Sequence, residues 1–504
     1  MPFNAVFSWF IKKRIHQIEL FKKYPMEVQQ EWFDRLVENG AQTTFGKAHG
    51  FSVGMSLSDF KKNVPVRNYE ALKPYINRVR EGEPDVLWPT KTRWFAKSSG
   101  TTDAQSKYIP VTKEALEDCH YKGGKDLLAM YYHNNPDARL ITGKHLVVGG
   151  TSKPNEEGVE GYSGDLSAII IQNLPLWVEF RRTPALEIAL HDNWEEKIDR
   201  MAYATMNDDV AILAGVPSWT LLLLKRILEI KGVDDINEVW PNLELFMHGG
   251  VSFKPYRAQF ESIISSKGMN YVETYNASEG FFGIQDRLDS DEMLLMLDYG
   301  IYYEFVPLEE LGKDFPITLT LQELELGHIY AIVISSNAGL WRYLVGDTVR
   351  VTSTFPFRIQ VAGRTKLFIN AFGEEVVIDN AEDAIANACR LHNAMVNDYT
   401  VCPIYMSDQH QGGHEWLIEF STPPASYEQF MVDVDNRLKE LNSDYAAKRA
   451  FDLNMGSPTL KVLAPGTFYE WLKSKGKLGG QHKVPRLSND RNIVESILQF
   501  SELV

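Results

Sequence analysis

Cysteine is nearly missing from this chain: three in 504 residues, Cys119, Cys389 and Cys402, with no Cys-x-x-Cys pair. So odd and scattered a set argues against a disulfide framework or a cysteine zinc site, and a reducing cytoplasm is the expected setting. Long hydrophobic runs are also absent, since charge interrupts every apolar stretch before the roughly 20 residues that a bilayer demands. The opening segment MPFNAVFSWFIKKRIHQIELFKK carries its basic residues after its short apolar run, the reverse of a secretory signal. Neither a membrane span nor secretion is therefore expected. Positive charge is in deficit, 52 Lys+Arg against 67 Asp+Glu for a net −15, which opposes nucleic-acid binding. Repeats and low-complexity tracts do not occur, and the phosphate-binding patterns G-x-x-x-x-G-K-[ST] and G-x-G-x-x-G are both missing.

What is present suits a large globular protein. With 44% hydrophobic residues over 504 positions, two or more separately cored domains are expected. The basic N-terminal segment, with Lys12, Lys13, Arg14, Lys22 and Lys23 against Glu19, suits a helix docked on its own domain, the commoner fate of an amphipathic helix, or one lying on a membrane surface. Helices are expected over 25–39 and 186–206, a strand or turn leading into a buried helix in VAILAGVPSWTLLLLKRILEIKG, and a strand in HIYAIVIS. Near residue 363 the texture changes. Short strands follow, then a helix opened by Asp379 with Glu382, strands at 399–406 and 415–420, a helix opened by Ser426 with Gln429, a strand at 459–463 and a helix at 467–474. This pattern predicts a compact C-terminal α+β domain of about 140 residues.

Five stretches could carry chemistry. In WFAKSSGTTDAQSKYIP, Ser98, Ser99, Gly100, Thr101 and Thr102 offer hydroxyls and backbone N–H groups to an anion, with Lys107 adding charge; alone, such a stretch is more often just a loop. MHGGVSFK places Gly249 and Gly250 after an apolar run, where a flat ring can lie on the backbone, and in YNASEG Tyr275 could stack on that ring while Glu279 could hold a divalent cation. A turn and a surface acid are the ordinary alternative. In WRYLVGDTVRV, Asp347 could accept from a ribose diol, although a Gly-Asp turn is usually structural. Finally, VAGRTKLFINAFGEEV sets Gly363, Arg364 and Lys366 at the expected domain boundary.

In this order and spacing, SSGTTDAQSKYIP, YNASEG and YLVGD resemble the three signature motifs of the Gretchen Hagen (auxin-responsive promoter) family of acyl acid amido synthetases, within the adenylate-forming superfamily. The resemblance spans nearly the whole chain and suits a bacterial-type member equally well. It implies a mixed α/β fold: an N-terminal ATP- and acyl-binding domain (1–362) with β-barrel and αβ subdomains, a hinge (363–366) and a mobile C-terminal lid (367–504). By resemblance, Ser98 to Thr102 and Lys107 cradle phosphate, Gly249 and Gly250 line adenine, and Tyr275 stacks on it beside Asn276 and Ala277. Ser278 meets the α-phosphate, Glu279 binds Mg²⁺, Asp347 holds the ribose with Arg364 beside it, and the lid turns about Lys366. GGQHKVPRLS is similar to the family's closing segment, which gives Lys483 as the catalytic lysine.

The implied reaction joins a carboxylic acid to an amino acid. A free carboxylate is a poor electrophile, so its oxygen attacks the α-phosphorus of ATP, pyrophosphate leaves, and the acyl-adenylate accepts an amine. Phosphate charge built up in the first step calls for Mg²⁺, loop N–H groups and a lysine. A thiol acceptor such as coenzyme A, and a nucleotide-binding regulator without catalysis, remain as alternatives. For the acyl pocket, 115–133 and PLWVEFRRT at 175–183 are candidates, with Arg181 or Arg182 either facing the substrate carboxylate or, more ordinarily, forming a solvated basic pair. His120, His248 and Cys119 are set aside as bases, and the oligomeric state stays open, a monomer included.

Overall fold

The computed structural model describes residues 2–503 except 99–106, 151–160, 192, 251, 252, 255, 314, 366, 367, 370, 372, 373, 375, 405–411, 443, 444, 447, 448, 450–454, 477–482, 489 and 490. It contains two units, one of Met1–Gly250 with Ser265–Gln360, the other of Val251–Ile264 with Val361–Val504. The excursion 251–264, placed in the N-terminal domain on sequence grounds, thus packs with the C-terminal part. Its side chains show why. Gln259 Nε2 donates to the Val396 carbonyl at 3.3 Å, the Tyr256 hydroxyl accepts from Arg486 at 3.1 Å, and Lys254 lies 3.6 Å from Asp379.

The strands of the first unit are β1 (Trp94–Ser98), β2 (Lys107–Val111), β3 (Lys144–Val148), β4 (Tyr162–Gly164), β5 (Arg182–Thr183), β6 (Val210–Gly215), β7 (Leu245–Gly249), β8 (Asn270–Ala277), β9 (Gly280–Ile284), β10 (Met293–Leu295), β11 (Ile301–Pro307), β12 (Ile329–Ser336), β13 (Tyr343–Thr354) and β14 (Phe357–Arg364), the last running on into the second unit. Eleven of them form one sheet in the order β11-β12-β13-β14-β10-β9-β8-β7-β6-β3-β5, and β2-β1-β4 form another. From β5 to β8 every pairing is parallel, and from β8 onward the pairings described are antiparallel. The two textures follow from the sequence. β6 opens with Val-Ala-Ile-Leu, all at 0–1% exposure, as a strand covered on both faces must be. Pro217 then opens the helix Pro217–Lys231 and Gly232 closes it in the left-handed region at φ 66°.

The expected helix over 186–206 forms as two pieces, Leu186–Ala189 and Trp194–Thr205, because Asn193 caps the second by accepting from the Glu196 N–H at 3.1 Å. The N-terminal helix Pro2–Lys23 docks on its own unit. Ile18 and Phe21 are 1% exposed, and Arg14 forks onto the Asp126 carboxylate with both bonds at 2.6 Å, while the Tyr299 hydroxyl donates to the same group at 2.9 Å. From Arg14 onward the helix is thus docked on its own unit, the first of the two fates expected for it. Among the described residues no helix is long and apolar enough to cross a membrane.

In the second unit, β17 (Met395–Ile404), β18 (Gly413–Thr422) and β19 (Thr459–Leu463) form a sheet, and a separate pair is made by β15 (Phe368–Ile369) and β16 (Val376–Val377). The helices Ile378–His392 and Tyr427–Leu441 pack with that sheet around Trp416, Tyr399 and Phe430, all fully buried. Ser426 caps as expected, accepting from Gln429 N at 3.2 Å. Asp379 does not cap. The helix already starts at Ile378, with the Asn380 side chain reaching back to the Val377 N–H at 3.3 Å, so Asp379 lies inside the first turn.

Candidate functional site

Ligands of open α/β sheets bind beyond the carboxyl ends of parallel strands, and that is where the first unit gathers its motif residues. β7 ends at Gly249, registered against Thr274. A Cβ on Gly249 would lie 2.3 Å from the Thr274 carbonyl oxygen, so no other residue fits there, and Gly250 follows at φ 79°. β8 and β9 form a hairpin in which Ala277 pairs with Gly280, leaving Ser278 and Glu279 as its two turn residues.

Both turn residues are buried, at 4% and 9% exposure. Among the described residues Ser278 Oγ meets no hydrogen-bond partner. A buried hydroxyl left unpaired costs stability, so its retention is what a ligand contact would explain. The Tyr343 hydroxyl donates to Glu279 at 3.4 Å, and burial followed by the Glu279 charge holds that phenol well above its ordinary range. Tyr275, on the same hairpin, donates to Asp347 Oδ2 at 2.7 Å and packs edge-on against Phe282 with centroids 4.8 Å apart. The structure therefore brings Gly249, Tyr275, Asn276, Ala277, Ser278, Glu279 and Asp347 into one neighbourhood.

A second layer holds the hairpin from behind. Residues Ala115–His120 form a π-helical turn, a rare shape that is frequent at functional sites. Within it, Cys119 Sγ accepts from the Phe281 N–H at 3.1 Å and His120 Nδ1 lies 3.0 Å from Asn276 Oδ1. Burial lowers the His120 pKa to about 4 and raises that of Cys119 to about 12, so the imidazole is neutral and the thiol inert at neutral pH. Gly123 completes the seam, since a Cβ there would lie 2.5 Å from the Phe281 ring. Their place beneath the hairpin had no sequence signal beyond the small residue Gly123 four positions after Cys119.

Lys107 opens β2 opposite Ser98, the last residue of β1, so the ends of the hydroxyl-rich stretch are held side by side. The Lys107 ammonium lies 6.0 Å from the Tyr69 ring centroid. Ser99, Gly100, Thr101, Thr102 and the hinge residue Lys366 lie outside the described residues. Arg181 is exposed, but Arg182 is buried, bound to Glu179 with one contact at 2.9 Å and to the Pro184 carbonyl. Its charge is already matched, which corrects the solvated-pair expectation for that residue.

In the second unit, Arg364 ends β14 and is exposed. Lys483 is half-buried at the head of a segment laid along β17. There Val401 N donates to Arg486 O at 2.9 Å, Ser488 N to Val401 O at 3.0 Å and Thr400 Oγ1 to Pro485 O at 2.7 Å, while the Arg486 guanidinium meets Asp398. Lys483 therefore lies two residues before a segment tied to β17 at Pro485, Arg486 and Ser488.

Among the described residues no three His, Cys, Asp or Glu side chains converge as a metal cage. One buried carboxylate, Glu279, fits Mg²⁺, which keeps waters and takes most of its ligands from substrate phosphates.

The fold is that of adenylate-forming acyl-activating ligases. It superposes on 2-hydroxyisobutyryl-CoA ligase in its postadenylation state with a TM-score of 0.54 at 13% identity, over 95% of this chain and 91% of that one. It superposes more closely on the GH3.15 acyl acid amido synthetase, TM-score 0.78 at 20% identity, over 97% and 95%. Residues 14–269 match the GH3 family N-terminal domain, 294–364 its central domain and 379–492 its C-terminal domain, and the chain belongs to the GH3 family. An indole-3-acetic acid-amido synthetase, GH3.3 of Arabidopsis thaliana, is 24% identical over 93% of this chain and 90% of its own length.

Proposed function

We propose that this chain is an ATP-dependent acyl acid amido synthetase, a ligase that adenylates a small carboxylic acid and passes the acyl group to the amine of an amino acid. The observation that carries the reading is the buried hairpin tip, where an unpartnered Ser278 hydroxyl and the Glu279 carboxylate stand beside the Tyr275–Asp347 bond at the carboxyl end of β8. Family membership and the amido synthetases to which the chain is similar support it.

In this reading Asp347, oriented by Tyr275, receives the ribose hydroxyls, and Gly249 and Gly250 admit the adenine. Ser278 Oγ donates to the α-phosphate, Lys107 and the hydroxyls at 98–102 take the remaining phosphates, and Arg364 lies beside the ribose. Mg²⁺, held by Glu279, supplies neutralisation of phosphate charge. Residues 363–366 act as the hinge and 367–504 as the lid, with Lys483 stabilising charge as the acid's oxygen attacks the α-phosphorus and pyrophosphate departs. The amine nitrogen then attacks the acyl carbon and AMP leaves.

Pyrophosphate release from Mg-ATP, measured across a panel of carboxylic acids with amino acids, with coenzyme A, or with neither, tests the reading beside Lys483→Ala. Acid-dependent release, amide formed only with amino acids, and a loss of 100-fold or more in the variant with ATP affinity retained are expected. Thioester formation, or equal release by the variant, would overturn the acceptor or the lysine assignment respectively.

A further inference from the structure

The helix Tyr69–Arg80 ends in a cation that meets no acid among the described residues. Arg78, two residues earlier, is paired with Glu83, whereas Arg80 Nε is buried without a hydrogen-bond partner among the described residues and its guanidinium lies 3.7 Å from the Tyr108 ring centroid. Lys97 Nζ lies 6.0 Å from the same centroid, and Lys107 Nζ lies 6.0 Å from that of Tyr69. The two rings are tied together, the Tyr108 N–H donating to the Tyr69 hydroxyl at 2.9 Å. Among the described residues none of these three half-buried cations meets a carboxylate. In a chain of net charge −15, with 67 acids available, three such groups on one pair of aromatic rings form a place where negative charge is wanted from outside.

Its position gives that charge an identity. The helix starts two residues after Arg67, whose backbone is laddered to the segment leading into the Gly-Asp turn: Arg67 N donates to Arg342 O at 2.9 Å and Leu344 N to Arg67 O at 2.7 Å. Between them sits Tyr343, bonded to Glu279 and electrostatically coupled to Tyr69. The order of groups is therefore Asp347 with Tyr275, then Glu279 with Tyr343, then Tyr69 with Lys107, then Tyr108 with Arg80 and Lys97. We propose that Arg80, Lys97 and Lys107 form a tray for the terminal phosphates of ATP and for the inorganic pyrophosphate it releases, the adenosine end lying at Asp347. The tray rests on the nucleotide reading above and adds Arg80 and Lys97 to it. A guanidinium held 3.7 Å from a ring centroid is already partly ordered, so that less is lost when its N–H groups bond a phosphate.

Affinities of AMP, ATP and inorganic pyrophosphate, the last two with Mg²⁺, measured by calorimetry on wild-type protein, Arg80→Met, Arg80→Lys and Lys97→Met, test the tray. Arg80→Met is expected to weaken ATP and pyrophosphate about tenfold and leave AMP unchanged; Arg80→Lys recovers part of the loss, and Lys97→Met falls in between. An equal loss for AMP and ATP, or no loss for either, would show that Arg80 merely closes its helix and would overturn the proposal. If wild-type protein binds neither nucleotide, the adenylation reading fails. Pyrophosphate affinity then decides the tray alone, its dependence on Arg80 sustaining a polyphosphate site and its absence removing it. Unchanged melting temperatures identify the variants as folded.

Discussion

At the scale of single residues, the site is distinguished by what its side chains leave unsatisfied. Ser278 Oγ is buried with no partner among the described residues, so Ser278→Ala removes a desolvated hydroxyl that costs the unliganded protein about 1 kcal/mol or more. The variant is expected to unfold at the same or a slightly higher temperature while adenylation slows at least tenfold. A drop in both quantities would mark the serine as structural. His120 yields a pH prediction. Its folded pKa, lowered by burial to about 4, lies below the ordinary value near 6.5. As pH falls below about 6.5 the unfolded chain binds a proton that the folded chain refuses. The stability this histidine provides is thus fully present above that pH and lost toward pH 4, roughly 2 kcal/mol between pH 7 and 5. Urea unfolding at the two pH values should show His120→Asn flatter by that amount, with His145, shifted the same way, unchanged in both proteins. Equal slopes would mean that His120 is charged or exposed.

At the scale of elements, the close approach of β7 and β8 sets the site's geometry, and Gly249 permits it. The obstacle to a methyl group there is a backbone carbonyl at 2.3 Å, which cannot rotate away as a side chain would. Gly249→Ala should therefore part the two strands, cost about 1–3 kcal/mol, and weaken ATP binding more than ten times. Retention of both stability and affinity would show that the strands yield. Elements were legible in the sequence where a local rule decides them: Pro217 and Gly232 bracket a helix, Ser426 caps one, and the runs at 459–463 and 467–474 form as read. They were misread where a competing local bond wins, as with Asn193 and Asn380. The π-helical turn at Ala115–His120 and the allegiance of 251–264 could not be read, since both depend on partners distant in sequence, Phe281 and Asn276 for one, Val396 and Arg486 for the other. Of the site, the glycine pair and the YNASEG hairpin carried local signatures. Arg80 carried none, because a lone arginine at a helix end acquires meaning only from the acid it does not meet.

At the scale of the whole molecule, the scarce cysteines become reporters of the two units. Cys119 belongs to the first unit, Cys389 and Cys402 to the second, and all three are free thiols. Each unit has its own core. Burial pushes both Cys119 and Cys389 up to about 12, so at pH 8 only about one molecule in ten thousand carries either thiolate in the folded state, and alkylation has to await opening of the unit concerned. The second unit is the smaller, and a smaller unit buries a lesser share of its surface. Native protein treated with iodoacetamide in rising urea should accordingly take up label first at Cys389 and Cys402, and at Cys119 only at higher denaturant, with all three labelled once unfolding is complete. Peptide mass spectrometry reads the order directly. Simultaneous labelling would mean that the units unfold as one cooperative body, and labelling of Cys119 first would place the weaker core around the Ser278–Glu279 hairpin.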